Sequence, residues 1–289
     1  MSSPVHNPPL NESDTRSKLI DPALYLRGWT EDFIRREETA GAIELINDKP
    51  RRRSKGFVDY TLRLHAADAI HPVAVALIEA KAETLPPGHG LDQAKRYARC
   101  KRMNVPFAFS SNGHQFVEFD RFTGLTSQPQ PMSEFPTPEQ VRLRYELGMG
   151  FSLSDEAAKP LLTPYDGGEG SRRYYQDAAI RAVLEKVAQA QATGKPKRAL
   201  LSLATGAGKT FIAVHLLKRI SDAKQLGRAL FVCDRDELRT QGLAALQNAF
   251  GNEAAAVSTG DAQKNARVIV ATYQTLGVDS DEADATFLL

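Results

Sequence analysis

From residue 172 onward, three apolar runs of strand length, "RALLSL", "RALFVCD" and "RVIVATY", alternate with helix-length segments over 173–192, 209–222 and 236–249. Strands joined through single helices pair in parallel, and helices on both faces of a sheet make its strands read as near-continuous apolar runs. The second half of the chain is thereby restricted to a parallel α/β unit. Within it, "LSLATGAGKT" sets a glycine-rich turn between a strand and a helix. Backbone N–H groups converge on an anion in that setting, and the helix N-terminus adds the positive end of its dipole. Thr205, Gly206, Ala207 and Gly208 read as a cradle for nucleotide phosphates, with Lys209 reaching the β- and γ-phosphates and Thr210 offering a hydroxyl to Mg²⁺. Leu203 stands where the general fingerprint has glycine.

The first half has a different pattern. "NESDTRSKLIDPALYLRGW" and "TEDFIRREETA" read as two helices, opened by Asn11 or Ser13 and by Thr30 and divided at Gly28. Strands follow at "GAIELI", "GFVDYTLRLH" and "PVAVALIEAK", then a helix over "GLDQAKRYARCKRM" and strands at "VPFAFSS" and "QFVEFD". Residues 126–170 are rich in Pro, Gly and Ser and read as a connector carrying one short helix around 138–147. The expected class is therefore α/β, with a mixed-sheet domain over 1–125, a linker over 126–170 and a parallel domain over 171–289. A length of 289 residues suits two domains.

Asp59 in "GFVDYTL" and Glu79 with Lys81 in "ALIEAK" lie on strands that flank a turn centred near Ala69. Paired as a hairpin, the two strands set Asp59 opposite Glu79, and Lys81 shares the side of Glu79. Val75 and Leu77 are expected on that side, with Ala74, Ala76 and Ile78 on the other, so the strand is buried on both faces. Charges at the end of such a strand need a partner. Two readings meet that need: a carboxylate pair that holds a divalent metal, or a structural Glu–Lys pair beside an unrelated aspartate. Bound metal would polarise a phosphodiester and acidify a water, with the lysine orienting that water.

On the following helix Gln93 and Tyr97 share a face. Aspartate, Glu-x-Lys and a helix carrying Gln-x-x-x-Tyr together resemble the PD-(D/E)xK nuclease superfamily, and look most like the amino-terminal nuclease domain of type I restriction-enzyme R subunits. The likeness covers roughly residues 12–122, including Glu12, Thr15 and Arg16; Val58 stands where the nominal pattern has proline. It implies that Asp59, Glu79 and Lys81 are catalytic, that Asp59 and Glu79 hold the metal, and that Gln93, Tyr97 and Glu12 support the site. Two basic clusters, "RRRSK" at 51–55 and the helical Lys95, Arg96, Arg99, Lys101 and Arg102, suit DNA phosphates; either also reads as solvated surface.

The ATGxGKT loop resembles superfamily-two helicases. "RRYYQDAAI" is similar to their Q motif, which implies an adenine contact for Gln176 and stacking by Tyr174 or Tyr175. "FVCDRDELRTQ" and "VIVATYQTL" resemble the next two DNA-contacting motifs, with Arg235, Thr272 and Gln274 as the residues concerned. Asp281-Glu282-Ala283-Asp284 spells a magnesium-binding box, but Gly277, Val278, Asp279 and Ser280 before it cannot form the required buried strand. The expectation is an acidic loop, with the working motif beyond Leu289 in a longer chain.

The net charge is only +2, so any nucleic-acid surface is local. No apolar run approaches the roughly 20 residues of a membrane span, the start lacks a secretion signal, and Cys100 and Cys233 make neither a disulfide framework nor a zinc site; a cytoplasmic protein is expected. The order nuclease, linker, ATPase resembles the R subunit over nearly the whole chain. That implies ATP and Mg²⁺ as cofactors, double-stranded DNA as substrate, and methyltransferase (M) and specificity (S) subunits as partners, in an ATP-dependent endonuclease and translocase. A stand-alone nuclease–helicase and a DNA-binding scaffold with a silent nuclease are the alternatives.

Overall fold

Asn11 opens the first helix by accepting from the Asp14 N–H. Helix α1 (Glu12–Thr15) continues through a π-helical turn (Arg16–Ile20) into α2 (Asp21–Leu26). Gly28, at φ +88°, ends it. Its N–H donates to the Tyr25 carbonyl and that of Trp29 to the Leu24 carbonyl, both at 3.0 Å, a left-handed cap that a β-carbon would strain. The computed structural model describes residues 8–39, 43–46, 49–52, 56–65, 72–100, 103–163, 174–257 and 265–276. The turn near Ala69, residues 53–55, Lys101, Arg102 and residues 281–284 lie outside them.

The segment "TEDFIRREETA" is not the helix expected of it. After one 3-10 turn it becomes strand β1 (Ile34–Thr39), followed by the separate ribbon β2 (Ile43–Ile46) and β3 (Lys49–Arg52) and then β4 (Phe57–Leu64). β1 pairs antiparallel with β4, and Ile34 is buried opposite Leu62. Thr30 makes no side-chain cap, so a ladder to a long neighbouring strand overrides the local helix signal.

β5 (Val73–Ala80) returns antiparallel to β4, α3 (Leu91–Arg99) crosses over, and β6 (Phe107–Ser111) pairs parallel with β5. β7 (Gln115–Asp120) and β8 (Gln130–Pro131) complete a six-stranded mixed sheet in the order β1-β4-β5-β6-β7-β8. A register shift in the β4–β5 ladder interrupts the alternation of β5. Val75, expected beside Leu77, lies instead in the cluster holding Ala76 and Ile78, while Leu77 packs with Leu91, Ala94 and Ala98 of α3. An extra residue in one strand has this effect.

Residues 126–163 are packed rather than extended. Helix α4 (Pro138–Met149) has a capping box between Thr137 and Gln140 and ends at left-handed Gly150, and α5 (Lys159–Leu162) follows. Met132, Phe135, Val141, Tyr145, Phe151 and Leu161 are buried in the core that covers the far face of the sheet. Then come α6 (Tyr174–Ala192), α7 (Lys209–Asp222), β9 (Ala229–Cys233), α8 (Asp236–Phe250), β10 (Ala254–Ala256) and β11 (Val268–Thr272). The last three strands form a parallel sheet in the order β10-β11-β9. The strand expected at "RALLSL" is absent: no described strand pairs with it, and Leu200 is 94% exposed. An apolar run without a ladder neighbour has nothing to hold it as a strand. Ile180, Leu184 and Ala188 of α6 belong to the same core as Tyr60, Ile78 and Phe109 of the mixed sheet. Among the described residues no helix is long and apolar enough to cross a membrane.

Trp29 is fully buried, and its indole N–H donates to the Pro136 carbonyl at 2.8 Å, tying the first helix to the segment before α4. Trp29→Ala should therefore destabilise the protein by about 3–5 kcal/mol, read as a lower urea midpoint, with Trp29→Phe falling between it and wild type.

Candidate active site

The β4–β5 register pairs Tyr60 with Ile78, so Asp59 and Glu79 are the next positions along the two strands. Asp59 Oδ2 accepts from the Ala80 N–H at 2.8 Å, and Asp59 Oδ1 accepts from Arg16 Nη1 at 3.2 Å. Lys81 Nζ donates to Glu79 Oε1 at 3.0 Å and lies 3.5 Å from Glu12 Oε2. The structure thus brings Asp59, Glu79, Lys81 and Glu12 together. The second oxygen of Glu79, Oε2, is buried without a hydrogen-bond partner.

Burial, reinforced by the charge of Asp59, pushes the Glu79 carboxyl up to about 7 against the pull of Lys81. Burial also raises Asp59, with the Ala80 N–H and Arg16 opposing it. Burial alone would lower the Lys81 ammonium; its hydrogen bond to Glu79 and the charges of Glu79, Glu12 and Asp59 together outweigh this, and the net direction is up. The result is a desolvated carboxylate pair flanked by a fixed cation. Among the described residues no three or more His, Cys, Asp or Glu form a ready metal cage. Mg²⁺ commonly binds one or two carboxylates together with substrate phosphates, so such a pair suits it.

Three further residues shape the site. Gly90 begins α3, and a β-carbon there would lie 2.8 Å from Lys81 Cε and 2.9 Å from Glu79 Cγ. Its N–H donates to Ser110 Oγ at 3.0 Å, and Ser110 stands opposite Glu79 in the parallel ladder. Arg16, noted in the sequence only as part of the first helix, holds Asp59. The glycine in "GHGLDQ" was the visible signal for the close approach; the roles of Ser110 and Arg16 depend on tertiary neighbours.

Gln93 and Tyr97 share one face of α3, with Gln93 Nε2 to Tyr97 OH 3.4 Å. A β-carbon at Gly56 would meet the Tyr97 hydroxyl at 2.5 Å, so the ring closes on the start of β4. Arg96 and Arg99 are exposed on the same helix, and Arg99 lies 5.7 Å from the Phe119 ring centroid.

In the second half, Gly206 and Gly208 adopt φ +77° and +79°, and Gly208 caps α7. Gln176, buried on α6, donates to the Ala207 carbonyl at 3.2 Å, and a β-carbon on Gly208 would lie 2.4 Å from its amide nitrogen. The structure therefore brings Gln176 onto the loop of Thr205, Gly206, Ala207, Gly208, Lys209 and Thr210. Lys209 is exposed and Thr210 half-buried. At the carboxyl ends of β9 and β11, Arg235 and Thr272 line one cleft, where Thr272 Oγ1 meets Thr275 Oγ1 at 2.9 Å and Gln274 Nε2 lies 3.4 Å from the Asp234 carbonyl.

Similarity to known proteins extends over both halves of the chain. A family model described as "Type III restriction enzyme, res subunit" matches residues 169–288. The chain is 31% identical over 282 residues, 94% of its length and 33% of the relative, to the type I restriction enzyme EcoAI endonuclease subunit of Escherichia coli. It is 24% identical over 295 residues, 83% of its length and 24% of the relative, to the EcoKI endonuclease subunit of the same species. A solved fragment described as an HsdR subunit of a type I restriction enzyme from Vibrio vulnificus superposes with a TM-score of 0.68 at 31% identity, covering 94% of this chain and 48% of that one. The chain spans about a third and about a quarter of the two curated relatives. With its mixed sheet, its parallel sheet and a match along nearly all of its length, it is a homologue of the type I restriction enzyme endonuclease subunits.

Proposed function

We propose that the first half of the chain hydrolyses phosphodiester bonds of double-stranded DNA with a divalent cation such as Mg²⁺, and that the second half binds ATP and drives DNA translocation. The domains are taken as 1–125 and 171–289, joined by 126–170, acting in the cytoplasm beside methyltransferase (M) and specificity (S) subunits. One observation carries the nuclease reading: the buried, unpartnered Oε2 of Glu79 next to Asp59. A buried polar atom without a partner costs about 1–3 kcal/mol, and of those on β4 and β5 only Glu79 Oε2 is a carboxylate oxygen beside a second carboxylate, where a cation would answer it.

Asp59 and Glu79 would hold the cation. Bound there, it would polarise the scissile phosphate and lower the pKa of a water. Lys81, fixed by Glu79 and Glu12, places a positive charge beside the phosphate as negative charge develops on it. Arg16 opposes the burial that raises the Asp59 carboxyl and orients it, and the bare backbone of Gly90 admits the substrate-side approach of α3. In the second half, the left-handed turns at Gly206 and Gly208 free the loop backbone to face phosphates, and Gln176 fixes that loop against α6. DNA phosphates would meet Arg96 and Arg102 near the nuclease and Arg235 and Thr272 on the translocase.

In the complete enzyme, Asp59→Ala, Glu79→Ala and Lys81→Ala should each reduce cleavage on the order of a hundredfold or more while ATP hydrolysis persists. Plasmid cleavage and phosphate release measured on the same preparations check this; undiminished cutting in all three variants overturns the assignment.

The raised carboxyl of Glu79 predicts a pH effect in metal-free protein. Its native value of about 7 exceeds the ordinary 4.5, so the native state binds the proton more tightly. The associated stability is full below pH 4.5 and is lost as pH rises through 7, amounting to roughly 3 kcal/mol. Glu79→Gln should gain on wild type between pH 5 and pH 8 in chelator-treated urea titrations. Added Mg²⁺ should close that gap at pH 8 by stabilising wild type alone. A gap that is flat with pH contradicts the buried ionising carboxylate.

A further inference from the structure

A cleft of about 460 Å³ opens between α6, the phosphate loop and the mixed-sheet domain, within the roughly 300–1,000 Å³ typical of small-ligand sites. One wall is Tyr175 and Ala179 of α6 with Leu203 and Ala207 of the loop. The other wall comes from the nuclease half: Arg99, the last residue of α3, and Asn104 just beyond it.

The nuclease-side wall is held in place from both directions. Arg181 of α6, pairing with Glu185 at 2.7 Å, donates to the Ala74 carbonyl at 2.9 Å and the Met103 carbonyl at 3.4 Å. Asn104 occupies the left-handed region at φ +42°. Its N–H donates to the Cys100 carbonyl at 2.9 Å, and its Oδ1 accepts from Arg121 Nη1 at 2.8 Å, so its amide nitrogen retains the donor role. The surroundings are cationic: burial and the guanidiniums of Arg181 and Arg99 hold Arg121 below its ordinary value, against the carboxylate of Glu185.

We propose that this cleft receives the base and ribose of the nucleotide whose phosphates the Gly206–Thr210 loop holds, and that Arg99 and Asn104 of the nuclease half complete the site. The proposal rests on the ATP reading of that loop. A purine needs planar faces and a few edge donors. Tyr175 and Arg99, from opposite walls, offer an aromatic ring and a flat guanidinium that stacks on π-systems, and the Asn104 amide offers donors to the base or ribose. The nine-residue α3 then touches both chemistries. It follows Gly90, which lies against Glu79 and Lys81, carries Gln93 and Tyr97, and ends at Arg99 against the nucleotide. Occupancy of the cleft would bias the same rigid element that borders the nuclease carboxylates, which is coupling in the thermodynamic sense.

The test is the affinity of the complete subunit, in its complex, for ATP with a non-hydrolysable β,γ-imido bridge, measured by calorimetry for wild type, Arg99→Ala, Arg99→Lys and Lys209→Ala. Arg99 is exposed, so its truncation leaves the core intact. Arg99→Ala should weaken binding about tenfold, equal to about 1.4 kcal/mol. Arg99→Lys should recover only part of this, since the charge returns without the plane. Lys209→Ala should weaken it at least as much. Unchanged nucleotide affinity in Arg99→Ala, with Lys209→Ala impaired, overturns the shared site and leaves the ATP reading standing; weaker, salt-dependent DNA binding in that variant would then place Arg99 on DNA phosphates. Unchanged affinity in Lys209→Ala removes the ATP reading and this proposal with it.

Discussion

The structure is organised around a carboxylate buried at the end of a strand that is covered on both faces. An isolated ionised group in that position is costly, and the neighbouring elements each answer part of the cost. β4 aligns Asp59 beside it, and the residue two places on returns as Lys81 to pair with it. The first helix sends Arg16 to Asp59 and Glu12 to Lys81. α3 begins with a glycine because no β-carbon fits between its backbone and the two charged side chains. Glu79 Oε2 still goes unanswered, as do Thr61 Oγ1 and Arg63 Nε on β4, but of these atoms it alone is a carboxylate oxygen, with a second carboxylate beside it, the donor type that suits a divalent cation.

Much of this was legible from residue order, and the reasons are local. Strand pairing about a short connection makes equal distances from the turn into cross-strand neighbours, so the Asp59–Glu79 relation followed from counting. Helix ends were readable where their chemistry is carried by one or two residues: Asn11 at the start of α1 and Gly28 with its positive φ. The phosphate-loop helix over 209–222 was fixed by the glycines before it.

The failures are those of non-local context. "TEDFIRREETA" carries helix-forming residues and a plausible cap, yet it is held as β1 by the long β4 ladder. "RALLSL" carries a strand composition and has no described neighbour to pair with. The extra residue in β5 that sends Val75 to the far face leaves no mark in an all-apolar run, because every residue there is acceptable on either side. Ser110 and Arg16 were equally hidden: a serine in "AFSS" and an arginine in a helix acquire meaning only once β6 lies against β5 and α1 against β4.

The connecting segment changes how the two halves should be understood. Proline- and glycine-rich composition suggests a spacer, but Phe135, Tyr145 and Phe151 sit in the same core as Phe109 of the mixed sheet and Ile180 and Leu184 of α6. Arg181 adds a polar clasp: the Tyr145 hydroxyl donates to Glu185 at 3.2 Å, and Glu185 pairs with Arg181, which reaches the Ala74 carbonyl. Ala74 lies on β5, the strand that ends in Glu79, and β6 begins its pairing only at Ala76. The guanidinium therefore caps a carbonyl beyond the end of the β5–β6 ladder, on the strand that bears the carboxylate. Packed cores have discrete arrangements rather than continuous give. A displacement of α6 would thus be transmitted to β5 as a shift of the whole strand, whereas side-chain changes confined to its far end need not disturb α6 at all.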